Sequence, residues 1–397
     1  MVVNEATQQY ILTHLHDDVR ALALKGCADP QVDVAFALQQ ISGRQQIKNK
    51  LPLFYNNMRL VLPVRLSLEQ CSSEETSAFK AQLIKGNHLA DLTGGFGIDT
   101  LALSQQFKKV DYIERNSELC EIVTHNMQVL NKTHINCHNE DGIEYISKHP
   151  EADVIYLDPA RRDKMGGKVA EISDCEPDIT AHLTLLTANE RHVWVKLSPM
   201  FDLHAALSSL PVCEAYVISV KNECKELLLH LHKPSTLLNE TTQVHAVELN
   251  KDTQESFNFT IEEERSTPIT IADSIGAYLY EPGAALMKAG CFKLYAHRLG
   301  LLKLDTHSHL YTSQQLSHGA HYGKCFQVID CFSFNKPSIK ALRTQYPQCN
   351  ITTRNFPMTP EALRKKLGIK EGGDHQLFAT TLQGNHILIV GKRLQNV

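Results

Sequence analysis

Residues 88–100 read HLADLTGGFGIDT. An apolar run, Leu89 and Ala90 with Leu92 behind Asp91, stops at Thr93-Gly94-Gly95-Phe96-Gly97, and a helical pattern over residues 98–103 follows at once. The spacing predicts a strand, a glycine turn and a helix. Residues without a Cβ take positive φ at little cost, so such a turn lets the backbone pass close to a nucleotide-like ligand at the carboxyl end of the first strand.

The residues that are missing narrow the ligand. A dinucleotide fingerprint needs Gly or Ala at position 100 to complete Gly95-x-Gly97-x-x-Gly, and the chain has Thr100. A phosphate loop needs Gly-Lys-Ser/Thr, and no Lys or Arg occurs over residues 88–107. Asp91 at the strand end suits instead a ligand that carries an ammonium and a sulfonium, and S-adenosyl-L-methionine is such a ligand. A second strand, Lys109–Ile113, ends at Glu114, roughly 20 residues after the turn, the spacing of a carboxylate that holds both ribose hydroxyls. After a helical stretch over 117–130, a third strand leads to Asn139, Glu140, Asp141 and Gly142, where Asp141 is the candidate acceptor for the adenine amino group. A fourth strand, DVIYL over 153–157, delivers Asp158, Pro159, Ala160 and Arg161 to the same edge.

In order and spacing these four segments resemble the motifs of class I S-adenosylmethionine-dependent methyltransferases. Asp91 to Gly97 is similar to the first, Glu114 to the second, Asp141 to the third and Asp158-Pro159-Ala160-Arg161 to the fourth, Asp/Asn-Pro-Pro-x. The resemblance implies a Rossmann-like, seven-stranded α/β sheet. It also implies a cofactor-binding set of Asp91, Thr93, Gly94, Gly95, Phe96, Gly97, Glu114, Arg115, Asp141, Gly142, Asp158 and Pro159. The segments LEQCSSE (68–74), ECKE (223–226), RNFP (354–357) and Gly372-Gly373 resemble a bacterial group whose methyltransferase core carries ferredoxin-like and THUMP-like carboxyl-terminal domains. By that resemblance Gln70 and Ser72 reach the methionine or ribose end of the cofactor. The residues alone also allow a helix cap, with Ser72 or Ser73 accepting first-turn amides.

A chain of 397 residues holds two or three domains. The expected divisions are a mainly helical region over 1–75, a methyltransferase domain over 76–275, a ferredoxin-like unit over 276–324 and a THUMP-like α+β unit over 325–397. A formal charge of -4 excludes a globally basic nucleic-acid binder and leaves room for a local basic face. The first residues have no basic start followed by an apolar core, and no run approaches the roughly 18 apolar residues of a membrane span, so a cytoplasmic protein without membrane contact is expected. Eleven Cys show no C-x2-C pair, so reduced thiols are expected. His307-Ser308-His309 offers two ligands on one face of an extended segment, and no metal is expected there.

Apolar residues over 8–24 and 32–41 recur near the helical period, and Ser42-Gly43-Arg44 breaks the pattern. Arg44, Lys48 and Lys50 form a basic cluster that reads as a solvated face or as a phosphate contact. Residues 161–178 hold Arg161, Arg162, Lys164 and Lys168 around Gly166-Gly167, a substrate loop or a set of ion pairs with Asp163, Glu171 and Asp174. A fifth strand, His192–Leu197, is followed by a hairpin of 215–220 and 226–231 across Asn222-Glu223-Cys224-Lys225, and by alternating segments at 244–249 and 257–261. Toward the carboxyl end the expected helices cover 283–289, 339–346 and 360–367, and the strands 325–334, 351–355, 376–381 and 386–390. Arg354, Arg364, Lys365, Lys366 and Lys370 form the densest basic cluster, an RNA contact by resemblance to THUMP-like domains or a solvated helix face.

The fourth motif constrains the chemistry. Amino-group methyltransferases place an aromatic residue at its fourth position to stack on a flipped base, and Arg161 stands there. Pyrimidine C5 methylation needs a Cys nucleophile, and the residues after the fifth strand are Ser198 and Pro199, with Cys224 a distant candidate. Asp158 is therefore the expected orienting or base carboxylate and Arg161 the expected substrate contact. The function expected is S-adenosylmethionine-dependent methylation of RNA, either tRNA or rRNA. A protein or small-molecule methyltransferase and a non-catalytic RNA-binding protein are the alternatives.

Overall fold

The structure is a computed structural model that describes residues 3–161, 171–232, 241–251, 253–317 and 322–394, the Arg161 side chain excepted. The chain divides into two compact units, residues 1–213 with 227–237 and residues 214–226 with 238–397.

The first unit begins with helices α1 (Glu5–Thr13), α2 (Val19–Lys25), α3 (Val34–Ile47), α4 (Pro52–Asn56), α5 (Arg65–Gln70) and α6 (Glu74–Leu83). The apolar period over 8–24 is split between two helices because Asp18 accepts the amides of Arg20 and Ala21 and starts a new one. Ser42-Gly43-Arg44 does not break α3. A Cβ at Gly43 would lie 3.1 Å from Leu62 and from Leu68, so this glycine serves a close packing contact inside the helix. Arg44 belongs to no surface cluster. It is 1% exposed and donates to the carbonyls of Phe54 and Leu60, 2.7 Å each, so the irregular stretch between them finds its donors in one guanidinium. Burial lowers its pKa to about 10. Lys50 similarly donates to the carbonyls of Leu68 and Glu69, 2.9 Å each.

An alternating α/β region follows: β1 (His88–Asp91), α7 (Ile98–Leu103), β2 (Lys109–Ile113), α8 (Ser117–Val129), β3 (Ile135–His138), α9 (Gly142–Lys148), β4 (Val154–Leu157), α10 (Ile179–Leu186), β5 (His192–Leu197) and α11 (Leu203–Ser209). The hairpin strands β6 (Val212–Val220) and β7 (Glu223–Leu231) come next. In the first unit the order is β3-β2-β1-β4-β5-β7, parallel except for β7. Every residue of β4 is buried, as expected of a parallel strand covered on both faces. The connections run outward from β1 to β3 and then return to β4. The β1/β4 boundary is thus the topological switch point, where ligands of open α/β sheets bind beyond the strand carboxyl ends. The β6–β7 turn is tighter than the sequence pattern suggests: Lys221 and Asn222 both take positive φ, 52° and 61°, the requirement of a two-residue hairpin turn.

In the second unit β6 pairs in parallel with β8 (Gln243–Asn250), which pairs antiparallel with β9 (Thr253–Thr260); α12 (Ile261–Ser266) follows. A separate sheet is built from β10 (Tyr278–Pro282), β11 (Leu302–Asp305), β12 (Ser308–Ser313), β13 (Gly323–Ser333), β14 (Asn350–Thr353), β15 (His375–Leu382) and β16 (Asn385–Arg393). Its order is β11-β12-β10-β13-β16-β15-β14, antiparallel apart from β14 with β15. Helices α13 (Ala284–Ala289), α14 (Lys293–Leu299), α15 (Lys336–Gln345) and α16 (Pro360–Leu367) complete the unit. Alternation along β16 assigns its two faces: Ile387 and Ile389 join Leu279, Leu304 and Leu310 in one core, while Leu388 and Val390 join Leu342, Leu363 and Leu367 in the other.

Candidate active site

The glycine turn is fixed from β2. Gly94 leaves room for Tyr112, whose ring would lie 2.1 Å from a Cβ at that position, and the Tyr112 hydroxyl donates to the Gly95 carbonyl at 2.6 Å. Gly95 and Gly97 take φ of 53° and 74°. Glu114, at the end of β2, accepts the Gly95 amide at 3.0 Å and the Asn116 amide at 2.8 Å, one on each carboxylate oxygen. Asp91 is 1% exposed and accepts the Thr100 hydroxyl at 2.5 Å and the Thr93 amide at 3.2 Å. Thr100, read in the sequence only as the residue that excludes a dinucleotide fingerprint, therefore locks the first acidic strand end. Burial pushes the Asp91 carboxyl up to about 7, against the opposing Thr100 bond.

The other predicted residues divide between the strand edge and structural tasks. The Asp158 amide donates to Thr93 Oγ1 at 2.5 Å, which ties the loop after β4 to the turn after β1. Asp141 caps α9 by accepting the amides of Ile143 and Glu144 on one oxygen. Gly142 has no room for a side chain, since a Cβ would fall 2.2 Å from the Leu92 carbonyl oxygen. Phe96 packs into the core against Phe54, ring centroids 5.0 Å apart. Pro159 is buried, Gln70 is exposed at the end of α5, and Arg115 pairs with Glu176. Arg162, Lys164 and Lys168 lie outside the described residues, as does the side chain of Arg161.

Sequence reasoning missed a buried ionic network behind Asp158. Lys196 Nζ lies 2.5 Å from Asp158 Oδ2 and 3.4 Å from Asp99 Oδ2, and it donates to Ser72 Oγ at 3.1 Å. Asp99 also accepts the hydroxyls of Ser72 at 2.7 Å and Tyr156 at 2.8 Å, and its other oxygen is 3.0 Å from Lys80 Nζ. Burial alone would raise the Asp99 carboxyl, but Lys80 and Lys196 outweigh it and hold the group well below the ordinary range. Ser72 thus belongs to this network, and Ser73 is the cap of α6. The available signal was an ionisable residue inside an otherwise apolar strand, Lys196 in HVWVKL. Lys80 on α6 carried none.

Asp111 on β2 behaves oppositely to Asp91. Burial would raise it, but contacts from His88 at 2.5 Å, Asn136 at 3.1 Å and Lys109 at 3.2 Å hold it well below the ordinary range. A carboxyl with a lowered folded pKa contributes stability that is present above the unfolded pKa of about 4 and is lost as pH falls toward the folded value. Asp111→Asn is therefore expected to be less stable than the parent at neutral pH, with the gap narrowing below about pH 4. Thermal unfolding of both proteins across this range checks it; a constant gap contradicts it.

In the second unit Arg354 pairs with Glu281 at 3.0 Å and Arg364 donates to the Cys349 carbonyl at 3.0 Å. Lys365, Lys366 and Lys370 are exposed, with Lys366 Nζ 4.6 Å from the Phe334 ring centroid. Burial pushes the Cys224 thiol up to about 11, which leaves little thiolate at neutral pH. Among the described residues no group of three or more His, Cys, Asp or Glu is arranged for a metal ion, and no helix is long and apolar enough to cross a membrane.

Comparison with known proteins matches residues 74–174 to a family described as conserved hypothetical protein 95, residues 278–319 to a ferredoxin-like domain and residues 323–393 to a THUMP domain-like family. No curated protein matches the chain. A solved rRNA methylase from Streptococcus thermophilus is 13% identical with a TM-score of 0.31, over 40% of this chain and 95% of that one. The crystal structure named "putative methyltransferase from Porphyromonas gingivalis W83" is 37% identical with a TM-score of 0.90, over 100% of both chains. The chain belongs to the family of that Porphyromonas protein, in which a class I methyltransferase core is followed by ferredoxin-like and THUMP-like domains.

Proposed function

We propose that the protein transfers the methyl group of S-adenosyl-L-methionine to RNA, a tRNA or an rRNA, in the cytoplasm. The observation that carries the cofactor assignment is Glu114, pinned by the Gly95 and Asn116 amides beside the switch point. Each carboxylate oxygen has two acceptor sites, so one on each remains for a ribose hydroxyl. The turn leaves space for that ligand, because a Cβ at Gly95 would meet nothing closer than the Thr93 carbonyl oxygen at 3.8 Å. Asp141 keeps its second oxygen for the adenine amino group, and Asp91 fixes the turn while adding negative field for the ammonium. A cation at this edge draws the Asp91 carboxyl toward its charged form. When bound, the cofactor supplies an electrophilic methyl group, and Asp158 orients the substrate atom and accepts its proton.

RNA is favoured over other substrates by the THUMP-like unit and by its exposed lysines. Lys366 over the Phe334 ring offers a cation and an aromatic surface together. If Lys365, Lys366 and Lys370 each meet a phosphate of a single strand, replacing all three by Ala should flatten the salt dependence of RNA affinity by about 0.7 per lost contact. A salt titration of RNA binding measures this. The function itself is tested by calorimetry with S-adenosyl-L-methionine and by radiolabelled methyl transfer onto total RNA and onto a protein extract. Label entering protein and never RNA would replace this reading with a protein methyltransferase.

A further inference from the structure

The Lys80–Asp99–Lys196–Asp158 network is costly to build. Two ammonium groups are taken out of water, Lys80 at 0% and Lys196 at 8% side-chain exposure, with Asp99 between them at 10%. Buried ion pairs of this kind are seldom more stabilising than apolar residues of similar volume, so stability alone does not account for it. Its members come from separate parts of the first unit: Lys80 from α6, Asp99 from α7, Lys196 from β5 and Asp158 from the loop after β4. Two cations and two carboxylates give no net charge, and the arrangement has a direction. Asp158 alone of the four reaches substantial exposure, 36% for its side chain, and it stands at the switch point.

The contacts of Lys196 define its task. Its ammonium has three donors, and Asp158, Ser72 and Asp99 provide three acceptors. Asp99 is itself fixed by Lys80 and by the Ser72 and Tyr156 hydroxyls, so Lys196 cannot turn away without breaking a buried bond. Lys196 takes Oδ2 of Asp158, while the Asp158 amide is held by Thr93, which leaves Oδ1 as the acceptor presented at the edge.

We propose that Lys196, fixed in turn by Asp99, is a positioning residue for methyl transfer that sets the direction of the Asp158 carboxylate. This rests on the methyltransferase reading, in which Asp158 meets the N–H or O–H of the substrate and takes its proton as the new bond to the methyl carbon forms and that carbon's bond to the sulfonium sulfur breaks, the electron pair leaving with the thioether. Without Lys196 the carboxylate loses its fixed direction, while substrate binding elsewhere is untouched.

The test has two arms on the full chain. In the first, carbon-13 NMR at neutral pH compares the aspartate carboxyls of the parent and of Lys196→Met, the Asp158 signal being identified by its loss in Asp158→Asn. The Asp158 signal should shift and broaden in Lys196→Met as its bond to the ammonium is lost. In the second, kcat for methyl transfer should fall by about 10- to 10³-fold with KM for RNA within about threefold. Ser72→Ala, which removes one acceptor from each lysine and one donor from Asp99, should move both readouts the same way by less, and it carries the test if Lys196→Met does not fold. An Asp158 signal unchanged from the parent's, or a shifted signal with kcat unchanged, overturns the proposal. The NMR arm needs no substrate, so a parent that transfers no methyl to RNA overturns the proposed function without deciding this assignment.

Discussion

Replacing Asp158 by alanine is expected to lower the rate of methyl transfer by about 10²- to 10⁴-fold, the range contributed by a positioned acid or base, while RNA affinity stays within a few-fold. The carboxylate is the exposed end of a network whose other members are buried, so its removal takes away the group proposed to meet the substrate. Alanine also takes a carboxylate away from Lys196, which adds positive charge where the sulfonium of the proposed cofactor would lie. Asp158→Asn keeps the shape but carries the same change in charge, and the backbone amide bond to Thr93 survives in both variants. Comparing the two variants therefore separates lost positioning from repulsion of the cofactor. Single-turnover transfer from radiolabelled cofactor at saturating RNA measures the step, and a rate within threefold of the parent for both variants would remove Asp158 from the chemistry.

Glu114→Ala is expected to weaken binding of S-adenosyl-L-methionine by about 1.5–3 kcal/mol, or roughly 10- to 150-fold, the worth of hydrogen bonds to a charged acceptor. The loss would extend beyond the proposed ribose contact. The same carboxylate holds the Gly95 and Asn116 amides, so its removal frees two backbone donors and loosens the turn. Glu114→Gln keeps one accepting oxygen and turns an NH₂ toward the other amide, which places its affinity between alanine and the parent. Calorimetry on the three proteins reads this order directly. Unchanged affinity in Glu114→Ala would sink the cofactor assignment.

The strand ends were legible in the sequence because each joins a short apolar run to an acid and a turn. Asp91, Glu114, Asp141 and Asp158 follow four successive strands in that way, and the structure places them at the carboxyl ends of β1 to β4. Local pattern did not reveal what holds those acids. Thr100 reaches Asp91 from the next helix, and Lys80 and Lys196 reach Asp99 from distant parts of the chain, so their meaning exists only after folding. Arg44 misled for a related reason: a cation close to Lys48 and Lys50 in sequence reads as surface charge, yet carbonyls ten and sixteen residues later draw it inside. Gly43 was read as a break because glycine usually punctuates helices, whereas here the space beside Leu62 and Leu68 demands it.

Strand β13 pairs on one side with β10 and on the other with β16. The ferredoxin-like match covers the first of these neighbours and the THUMP-like match the second, and residues from both contribute to the core around Leu279, Phe326 and Ile389. Names that suggest two interchangeable modules thus describe one sheet. A cut between residues 319 and 323 would strip a central strand of a neighbour and open that core to water. The two segments are expected to melt in a single transition, and a graft of either one alone would expose the raw edge of a strand.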